Sequence, residues 1–248
     1  MHNEVIGVRV DALTKSELQD ALRESVRQGR KDVVAYVNVH ALNLAHEDSK
    51  FRDFLNRAKL VYCDGEGVRM GAYMLGIHLP PRVVLTYWIW ELCAMCEREG
   101  LSIFFLGGES ETVELAVKNL QAKSPSLKIA GWHNGFFGKW NEESERVVKM
   151  INEAKPDLLF VGFGMPLQER WIDANLSKLN VHVILPAGSM IDYTAGLKTF
   201  APSWMADNGM EWLYRLMQEP GRLWRRYIFG NPVFMFRILK QYFKQKAA

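Results

Sequence analysis

Asp64 is the residue whose type and position best suit a general base. It follows the apolar run Leu60–Cys63, which is typical of a buried strand, so its carboxylate is expected at the strand's carboxyl end. Desolvation there raises a carboxyl pKa toward neutrality, where the carboxylate can take a proton from an incoming hydroxyl group. An aspartate at this place can also cap the helix predicted over Gly67–Leu75, and position alone does not decide between the two roles.

Three further polar or glycine-containing segments follow predicted strands. Asn38 follows the first strand, Gly107-Gly108 the third and Gly162-Phe163-Gly164 the fifth, and Gln168 with Glu169 begins the next helix. In open α/β sheets ligands bind beyond the carboxyl ends of the strands, and glycine lets backbone N–H groups approach phosphate oxygens. Each segment also has a plainer explanation, as a tight turn or an exposed first helical turn. Neither glycine turn has the G-x-G-x-x-G spacing of a dinucleotide fingerprint.

Arginines supply the positive charge that a departing diphosphate requires when no metal is bound. The planar guanidinium suits phosphate oxygens, although a solvated surface position is the plainer explanation for any single arginine. The spacing of Arg215, Arg222 and Arg225 indicates one helical face. The candidates are Arg82, Arg215, Arg222, Arg225 and Arg226.

Cysteine and histidine spacings indicate packing rather than a metal site. Cys93-Ala94-Met95-Cys96 lies inside an apolar helical stretch without a second pair or a nearby histidine. No two of the six histidines have metal-ligand spacing on one predicted face, although His40 and His133 lie near strand ends. Asp64-Gly65-Glu66 is a poor alternative for holding a nucleotide through a divalent cation. We therefore expect neither a metal nor a cofactor.

Short apolar runs alternate with amphipathic stretches, a pattern typical of βαβ units. We predict an α/β fold with a Rossmann-like parallel sheet and helices on both faces. The predicted strands are Val33–Val37, Leu60–Cys63, Ile103–Leu106, Leu127–Gly131, Leu158–Val161 and Val181–Leu185. The predicted helices are Lys15–Arg27, Ala41–Arg57, Gly67–Leu75, Tyr87–Arg98, Glu111–Lys123, Glu142–Glu153 and Gln168–Asn175.

The C-terminal part differs from the rest in charge and pattern. Residues 211–248 hold 8 Lys/Arg against 2 Asp/Glu and 9 of the 29 aromatic residues, which indicates an anionic partner. We predict an α/β catalytic domain over 1–202 and a helical appendage over 203–248. Helices are expected over Ser203–Gln218 and Gly221–Phe229, with a break at Gly230 and a third helix from Asn231-Pro232.

The last predicted helix has the composition of a membrane-interface helix. Arg237, Lys240 and Lys244 form one stripe, and aromatic and aliphatic residues cover the other faces. Docking on the chain's own domain is the alternative, and single-stranded nucleic acid is a weaker one because one helix forms no groove. The 248 residues contain no uncharged apolar stretch of 18 residues. The N-terminus lacks the layout of a secretory signal, which favours a cytoplasmic protein.

These motifs jointly resemble the WecG/TagA/CpsF glycosyltransferases of bacterial surface-polymer synthesis. The resemblance runs from about Val33 to Tyr227. It is carried by Asn38, Cys63-Asp64-Gly65-Glu66-Gly67, Arg82, Phe104-Phe105-Leu106-Gly107-Gly108, Gly162-Phe163-Gly164-Met165-Pro166-Leu167-Gln168-Glu169, Ala201-Pro202-Ser203-Trp204, Glu211-Trp212-Leu213-Tyr214-Arg215-Leu216, Gln218-Glu219-Pro220 and Arg222-Leu223-Trp224-Arg225-Arg226-Tyr227.

The resemblance implies an inverting, metal-independent sugar transfer from a UDP-sugar to a sugar on a polyprenyl diphosphate. It makes Asp64 the base and the C-terminal arginines Arg215, Arg222 and Arg225 the diphosphate ligands. It implies a cytoplasmic protein, peripheral on the inner face of the cell membrane at an anionic surface, with no nucleic-acid partner. The remaining residues that it places at the active site are Asn38, Arg82, Gln168 and Glu169.

Departures from the family pattern leave the donor sugar open. They are Tyr36 in place of the usual threonine, Leu85-Thr86-Tyr87 after the arginine, and Ala187-Gly188-Ser189-Met190-Ile191-Asp192 near the last strand. N-acetylmannosamine, its uronic acid and glucose all remain open as donors. The rival hypotheses are a nucleotide-sugar-binding membrane adaptor without catalysis and a basic nucleic-acid-binding module.

Overall fold

A six-stranded sheet with flanking helices forms the framework of the chain. The computed structural model describes residues 3–247. The predicted domain limits and the prediction about a secretory signal also involve Met1, His2 and Ala248, which lie outside the described residues. The strands are β1 (Glu4–Val5), β2 (Val8–Arg9), β3 (Asp32–Val37), β4 (Leu60–Cys63), β5 (Ser102–Gly107), β6 (Lys128–His133), β7 (Leu158–Gly162) and β8 (Val183–Pro186).

Helices follow most strands, as the alternating pattern predicts. None of those in residues 3–247 combines the length and hydropathy needed to cross a membrane. The helices are α1 (Lys15–Arg27), α2 (Val39–Glu47), α3 (Ser49–Arg57), α4 (Glu66–Met74), α5 (Leu85–Glu99), α6 (Ser110–Lys123), α7 (Glu142–Ala154), α8 (Leu167–Asn175), α9 (Met190–Thr194), α10 (Ser203–Asp207), α11 (Glu211–Gln218), α12 (Pro220–Trp224) and α13 (Gly230–Lys246), with a π-helical turn over Arg225–Phe229.

The large sheet has the strand order β4-β3-β8-β7-β5-β6. The pairings β3–β8, β8–β7, β7–β5 and β5–β6 are parallel, and Phe105 of β5 stands opposite Phe160 of β7. Both side chains are buried, in keeping with a strand covered on its two faces. The predicted α/β fold with a parallel, Rossmann-like sheet is confirmed, and all six predicted strands are present within a few residues of their expected limits.

The chain divides into two compact units. The first unit consists of Met1–Thr14, Tyr36–Val83 and Phe200–Ala248, and the second of Lys15–Ala35 and Val84–Thr199. The division into domains 1–202 and 203–248 stays a prediction.

Two predictions about helix boundaries were wrong. The helix expected over Ala41–Arg57 is two helices, α2 and α3, because Asp48 accepts hydrogen bonds from the backbone of Lys50 and Phe51 and so begins a new helix. The helix expected over Ser203–Gln218 is likewise divided, at Gly209, whose φ of +71° ends α10. The short β1–β2 hairpin and α9 were not predicted.

The break expected at Gly230 is also absent. Gly230 has helical dihedrals, φ −64° and ψ −39°, so the chain continues from the π-helical turn directly into α13. Pro232 has no N–H to donate, and a π-helical turn is one way in which a helix accommodates an irregular hydrogen-bonding register.

Helix α13 docks within the first unit against α2 and α4. Phe234 and Ile238 are almost fully buried there, and a Cβ built on Gly71 would lie 2.8 Å from the Phe234 ring. Gln241 accepts a hydrogen bond from the backbone N–H of Ile6 at 2.8 Å, which fastens the helix to the hairpin. The alternative of docking on the chain's own domain therefore holds for this face of α13.

Arg237 was placed by the sequence in a solvent-facing basic stripe, and this was wrong. Its guanidinium donates to the backbone oxygen and to Oδ1 of Asn43 at 3.1 and 2.9 Å, and pairs with Glu47 at 2.7 Å. Lys240 and Lys244 are exposed, so the stripe is reduced to its lysines.

Candidate active site

Asp64 lies just beyond β4 and is held by the turn at the start of α2. Its backbone N–H donates to the Val37 oxygen at 2.9 Å, and Asn38 Nδ2 donates to its Oδ2 at 3.4 Å. Asn38 also caps α2, because its Oδ1 accepts from the backbone N–H of Ala41 at 3.1 Å. The N-cap of α4 is Gly65, with no side-chain cap bond, so Asp64 does not have the capping role. Its carboxylate remains partly exposed.

The surroundings of Asp64 tune its pKa. Burial and then the negative charge of Glu211 raise the pKa to about 6, against the opposing effects of Arg82, Arg215 and the Asn38 hydrogen bond. A carboxylate with this pKa is largely ionised at neutral pH and is still basic enough to accept a proton in a transition state. These surroundings, all within the first unit, suit a general base.

Glu211 is a site residue that the sequence analysis did not single out. At the start of α11, its carboxylate pairs with the Arg82 guanidinium at 2.9 Å, and both side chains are largely buried. Arg82 Nη2 also donates to the backbone oxygen of Ala206 at 3.4 Å. The signal in the sequence was that Glu211 belongs to the same motif as Arg215. A motif does not show, however, which residue the carboxylate of Glu211 contacts.

The predicted C-terminal arginines have different surroundings. Arg215 is partly buried and acts electrostatically on Asp64. Arg222 is exposed and pairs with Glu219 at 2.6 Å. Arg225 is exposed, and its guanidinium carbon lies 5.2 Å from the centre of the Trp224 ring.

The predicted glycine turns lie in the second unit, at the ends of two adjacent strands. Gly107 has a φ of +150°, and a Cβ there would lie 2.4 Å from the backbone oxygen of Gly162. Gly108 and Gly164 have φ values of +67° and +81°. Only glycine fits these dihedrals without strain, and a glycine turn lets the backbone approach an anion closely.

Gln168 supports the Gly164 turn from inside the second unit. Its side chain is fully buried, and its Oε1 accepts from the backbone N–H of Gly164 at 3.1 Å and of Gly188 at 3.0 Å. Its Nε2 donates to Glu169 Oε1 at 2.7 Å. Burial raises the pKa of Glu169 to about 7 although this hydrogen bond opposes the shift, and the other carboxyl oxygen of Glu169 is buried without a hydrogen-bond partner.

The predicted packing role of the cysteines agrees with the structure. All three are free and buried, and burial raises the pKa of the Cys63 thiol to about 12. Within residues 3–247 no group of three His, Cys, Asp or Glu side chains is arranged to hold a metal ion.

Comparison with known proteins shows the family of the chain. The chain is 28% identical over 247 residues to an N-acetylglucosaminyldiphosphoundecaprenol N-acetyl-beta-D-mannosaminyltransferase of Staphylococcus aureus (strain MW2), covering 99% of this chain and 95% of the relative. The protein of the same name from strain NCTC 8325 / PS 47 matches with the same identity and coverage. The model of the glycosyl transferase WecG/TagA/CpsF family matches residues 3–248. The chain therefore belongs to this family of glycosyltransferases.

Proposed function

We propose that this protein is an inverting glycosyltransferase that moves a hexose or N-acetylhexosamine-type sugar from a UDP-sugar to a sugar on a polyprenyl diphosphate, in bacterial surface polysaccharide synthesis. The observation that supports this most is Asp64 at a strand end, with a pKa of about 6 and with two arginines acting on it. The names of the Staphylococcus aureus relatives specify an N-acetylmannosamine donor group and an undecaprenyl-diphosphate-linked acceptor.

In the proposed reaction Asp64 removes the proton of the acceptor hydroxyl as its oxygen attacks the anomeric carbon. The bond from that carbon to the diphosphate breaks, and its electron pair goes to the departing UDP oxygen. A single displacement inverts the configuration, because no enzyme carboxylate attacks the sugar. The proton stays on Asp64 until solvent removes it.

Positive charge for the departing diphosphate comes from Arg82, Arg215, Arg222 and Arg225 in this proposal. Arg82 is paired with Glu211, so a phosphate that binds Arg82 competes with that carboxylate. No metal or cofactor takes part, because guanidiniums supply the charge that a divalent cation would otherwise provide.

The glycine turns of the second unit would bind phosphate oxygens through backbone N–H groups at Gly107 and Gly108, and Gly164, whose N–H is donated to Gln168, would contribute through the shape of its turn. Gln168 and Glu169 are proposed to line the substrate site. The two hydrogen bonds that Gln168 accepts from Gly164 and Gly188 support a contribution through the shape of the Gly164 turn.

We place the protein on the inner face of the cell membrane, bound at its anionic surface. The first unit exposes many large apolar side chains in its C-terminal part, beside Lys240, Lys244 and Lys246, a composition typical of interfacial helices. The exposed apolar residues are Trp204, Trp212, Leu213, Met217, Trp224, Ile228, Phe229, Val233, Phe236, Leu239 and Phe243.

A donor screen tests the reaction. Several UDP-sugars are offered with a short-chain lipid diphosphate carrying N-acetylglucosamine, and UDP release is followed with and without a chelator. We expect release with one donor class, dependent on the acceptor and insensitive to the chelator. Binding of UDP-sugar without release would favour the adaptor, and salt-dependent oligonucleotide binding would favour the nucleic-acid module.

Vesicle sedimentation tests the location. The double variant Phe236→Asp/Phe243→Asp is expected to lose binding to anionic vesicles, because both side chains are more than 60% exposed and leave the buried face of α13 intact. Leu115→Asp, at an exposed position of α6 in the second unit, is the control and keeps vesicle binding. Equal binding by all three proteins would remove α13 from the membrane contact.

A further inference from the structure

Arg226 is a partly buried cation that the proposed mechanism does not use. Its Nε is shielded from solvent and has no hydrogen-bond partner. Its guanidinium carbon lies 5.6 Å from the centre of the Tyr227 ring, and no ion pair joins it to any residue among 3–247. A guanidinium that is partly withdrawn from water without an ion-pair partner is costly, so a ligand that pairs with it gains more than it would at a fully exposed arginine.

The charges around Arg226 leave positive charge in excess. Burial lowers the pKa of Arg226, and the positive charge of Arg215 acts in the same direction, while Tyr227, Tyr36 and the carboxylate of Asp64 oppose them. His40 is neutral at neutral pH, since burial and the charge of Arg226 lower its pKa to about 4. Glu211 is already paired with Arg82, so Asp64, the proposed catalytic base, is the carboxylate left to offset both Arg215 and Arg226.

The π-helical turn sets which arginine is directed inward. The sequence spacing favoured Arg225 for this face, on the assumption of regular α-helical geometry after Pro220. Over Arg225–Phe229 the wider turn changes the angular spacing of the side chains. Arg225 is exposed beside Trp224, whereas Arg226 is directed into the first unit.

We infer that Arg226 binds a diphosphate in the first unit, together with Arg215 and close to Asp64. This inference rests on the proposed function, and it adds a ligand that is one of the five candidate arginines named from the sequence but that the family resemblance did not place at the site. A diphosphate occurs in both proposed substrates, the nucleotide donor and the lipid-linked acceptor. The planar guanidinium binds either one through paired hydrogen bonds to phosphate oxygens.

The test separates binding from folding. Arg226→Met replaces the cation with an unbranched apolar side chain, and Arg226→Lys keeps the charge without the planar fork. Arg225→Met removes the neighbouring exposed arginine, and Arg146→Met removes an exposed arginine of α7 as a control for net charge. Calorimetry measures the Kd of UDP and of the short-chain lipid diphosphate carrying N-acetylglucosamine, and a thermal melt measures Tm without ligand.

We expect Arg226→Met to raise the Kd of one of the two ligands by about tenfold to a hundredfold, because charge-assisted hydrogen bonds usually contribute that much affinity. Arg226→Lys should retain part of the affinity, Arg225→Met should lose less than Arg226→Met, and Arg146→Met should bind as the wild type does. The Tm of Arg226→Met without ligand should equal or exceed that of the wild type, because a partly buried unpaired charge is removed. The ligand whose Kd rises shows which substrate's diphosphate Arg226 binds.

Three results overturn the inference, and they differ in what else they overturn. If the wild type binds a diphosphate and Arg226→Met binds both ligands as tightly, or loses no more affinity than Arg225→Met, Arg226 is not the ligand. If Arg226→Met lowers Tm but not affinity, its role is structural. If the wild type binds neither diphosphate, the proposed function fails together with the inference.

Discussion

The two units each hold a carboxyl group whose pKa is raised, in opposite surroundings. Asp64 in the first unit is partly exposed, and the guanidiniums of Arg82 and Arg215 act on it. Glu169 in the second unit is 2% exposed, with the Gln168 amide as its side-chain hydrogen-bond donor. Burial raises the pKa of Asp64 to about 6 and that of Glu169 to about 7.

The difference shows what burial alone does and what charges add. Nearby cations favour the carboxylate form of Asp64, so it can ionise near neutral pH while keeping access to a substrate proton. No cation among residues 3–247 contributes to the pKa of Glu169, so Glu169 is neutral over more of the pH range and is suited to holding its neighbours in place. We therefore expect changes at Asp64 to affect turnover and changes around Glu169 to affect stability.

The largest expected effect is that of Asp64→Asn on turnover. Loss of a positioned base should lower kcat by about two orders of magnitude or more, while the fold is kept because the amide is isosteric. UDP release with the lipid-linked acceptor measures this. Asp53→Asn, at an exposed position of α3, is the matched control with normal turnover. Near-normal activity of Asp64→Asn would remove this carboxylate from the role of base.

Gln168→Ala should act mainly on stability. It removes the acceptor for the N–H groups of Gly164 and Gly188 and the donor to Glu169. We expect the free energy of unfolding to fall by about 3 kcal/mol, since each buried group left without a partner costs about 1–3 kcal/mol. Urea denaturation measures this, with Gln121→Ala at an exposed position of α6 as the control. A loss under 1 kcal/mol would contradict the supporting role of Gln168.

Glu169→Gln should change how stability depends on pH. The pKa of Glu169 is raised from 4.5 to about 7, so the folded protein binds this proton more tightly than the unfolded chain does. The resulting stabilisation is complete below pH 4.5 and is lost as the pH rises toward about 7, by at most about 3 kcal/mol. The variant has no such proton. The unfolding free energy of the wild type minus that of the variant should therefore decline across this window, and a constant difference would contradict the raised pKa.

Glu211→Gln should shift the pH–activity profile. The base must be ionised, so activity falls as the pH drops through about 6. Removing the negative charge of Glu211 lowers the pKa of Asp64, which moves the acidic limb of kcat/KM to lower pH by roughly one unit or less. Glu47→Gln, whose carboxylate is 63% exposed, is the control and leaves the limb in place. A shift to higher pH would show that Glu211 does not act on Asp64 through its charge.

The sequence determined the elements of this protein and most of its polar site. Buried runs such as Leu158–Val161 indicate strands because their residues are apolar without alternation, and Asp64 and the glycine turns follow from standing at strand ends. The sequence also gives the net positive charge of the C-terminal part, since counting charged residues requires no knowledge of the structure.

Only the tertiary structure decided which side chains face one another. The ion pair between Arg82 and Glu211 joins residues far apart in the chain, so no local sequence pattern predicts it. The capping bond of Asp48 divided a helix that periodicity had joined, and a π-helical turn directed Arg226 inward instead of Arg225. Periodicity assumes a constant angle per residue, whereas ion pairs and helix irregularities depend on packing that brings distant segments together.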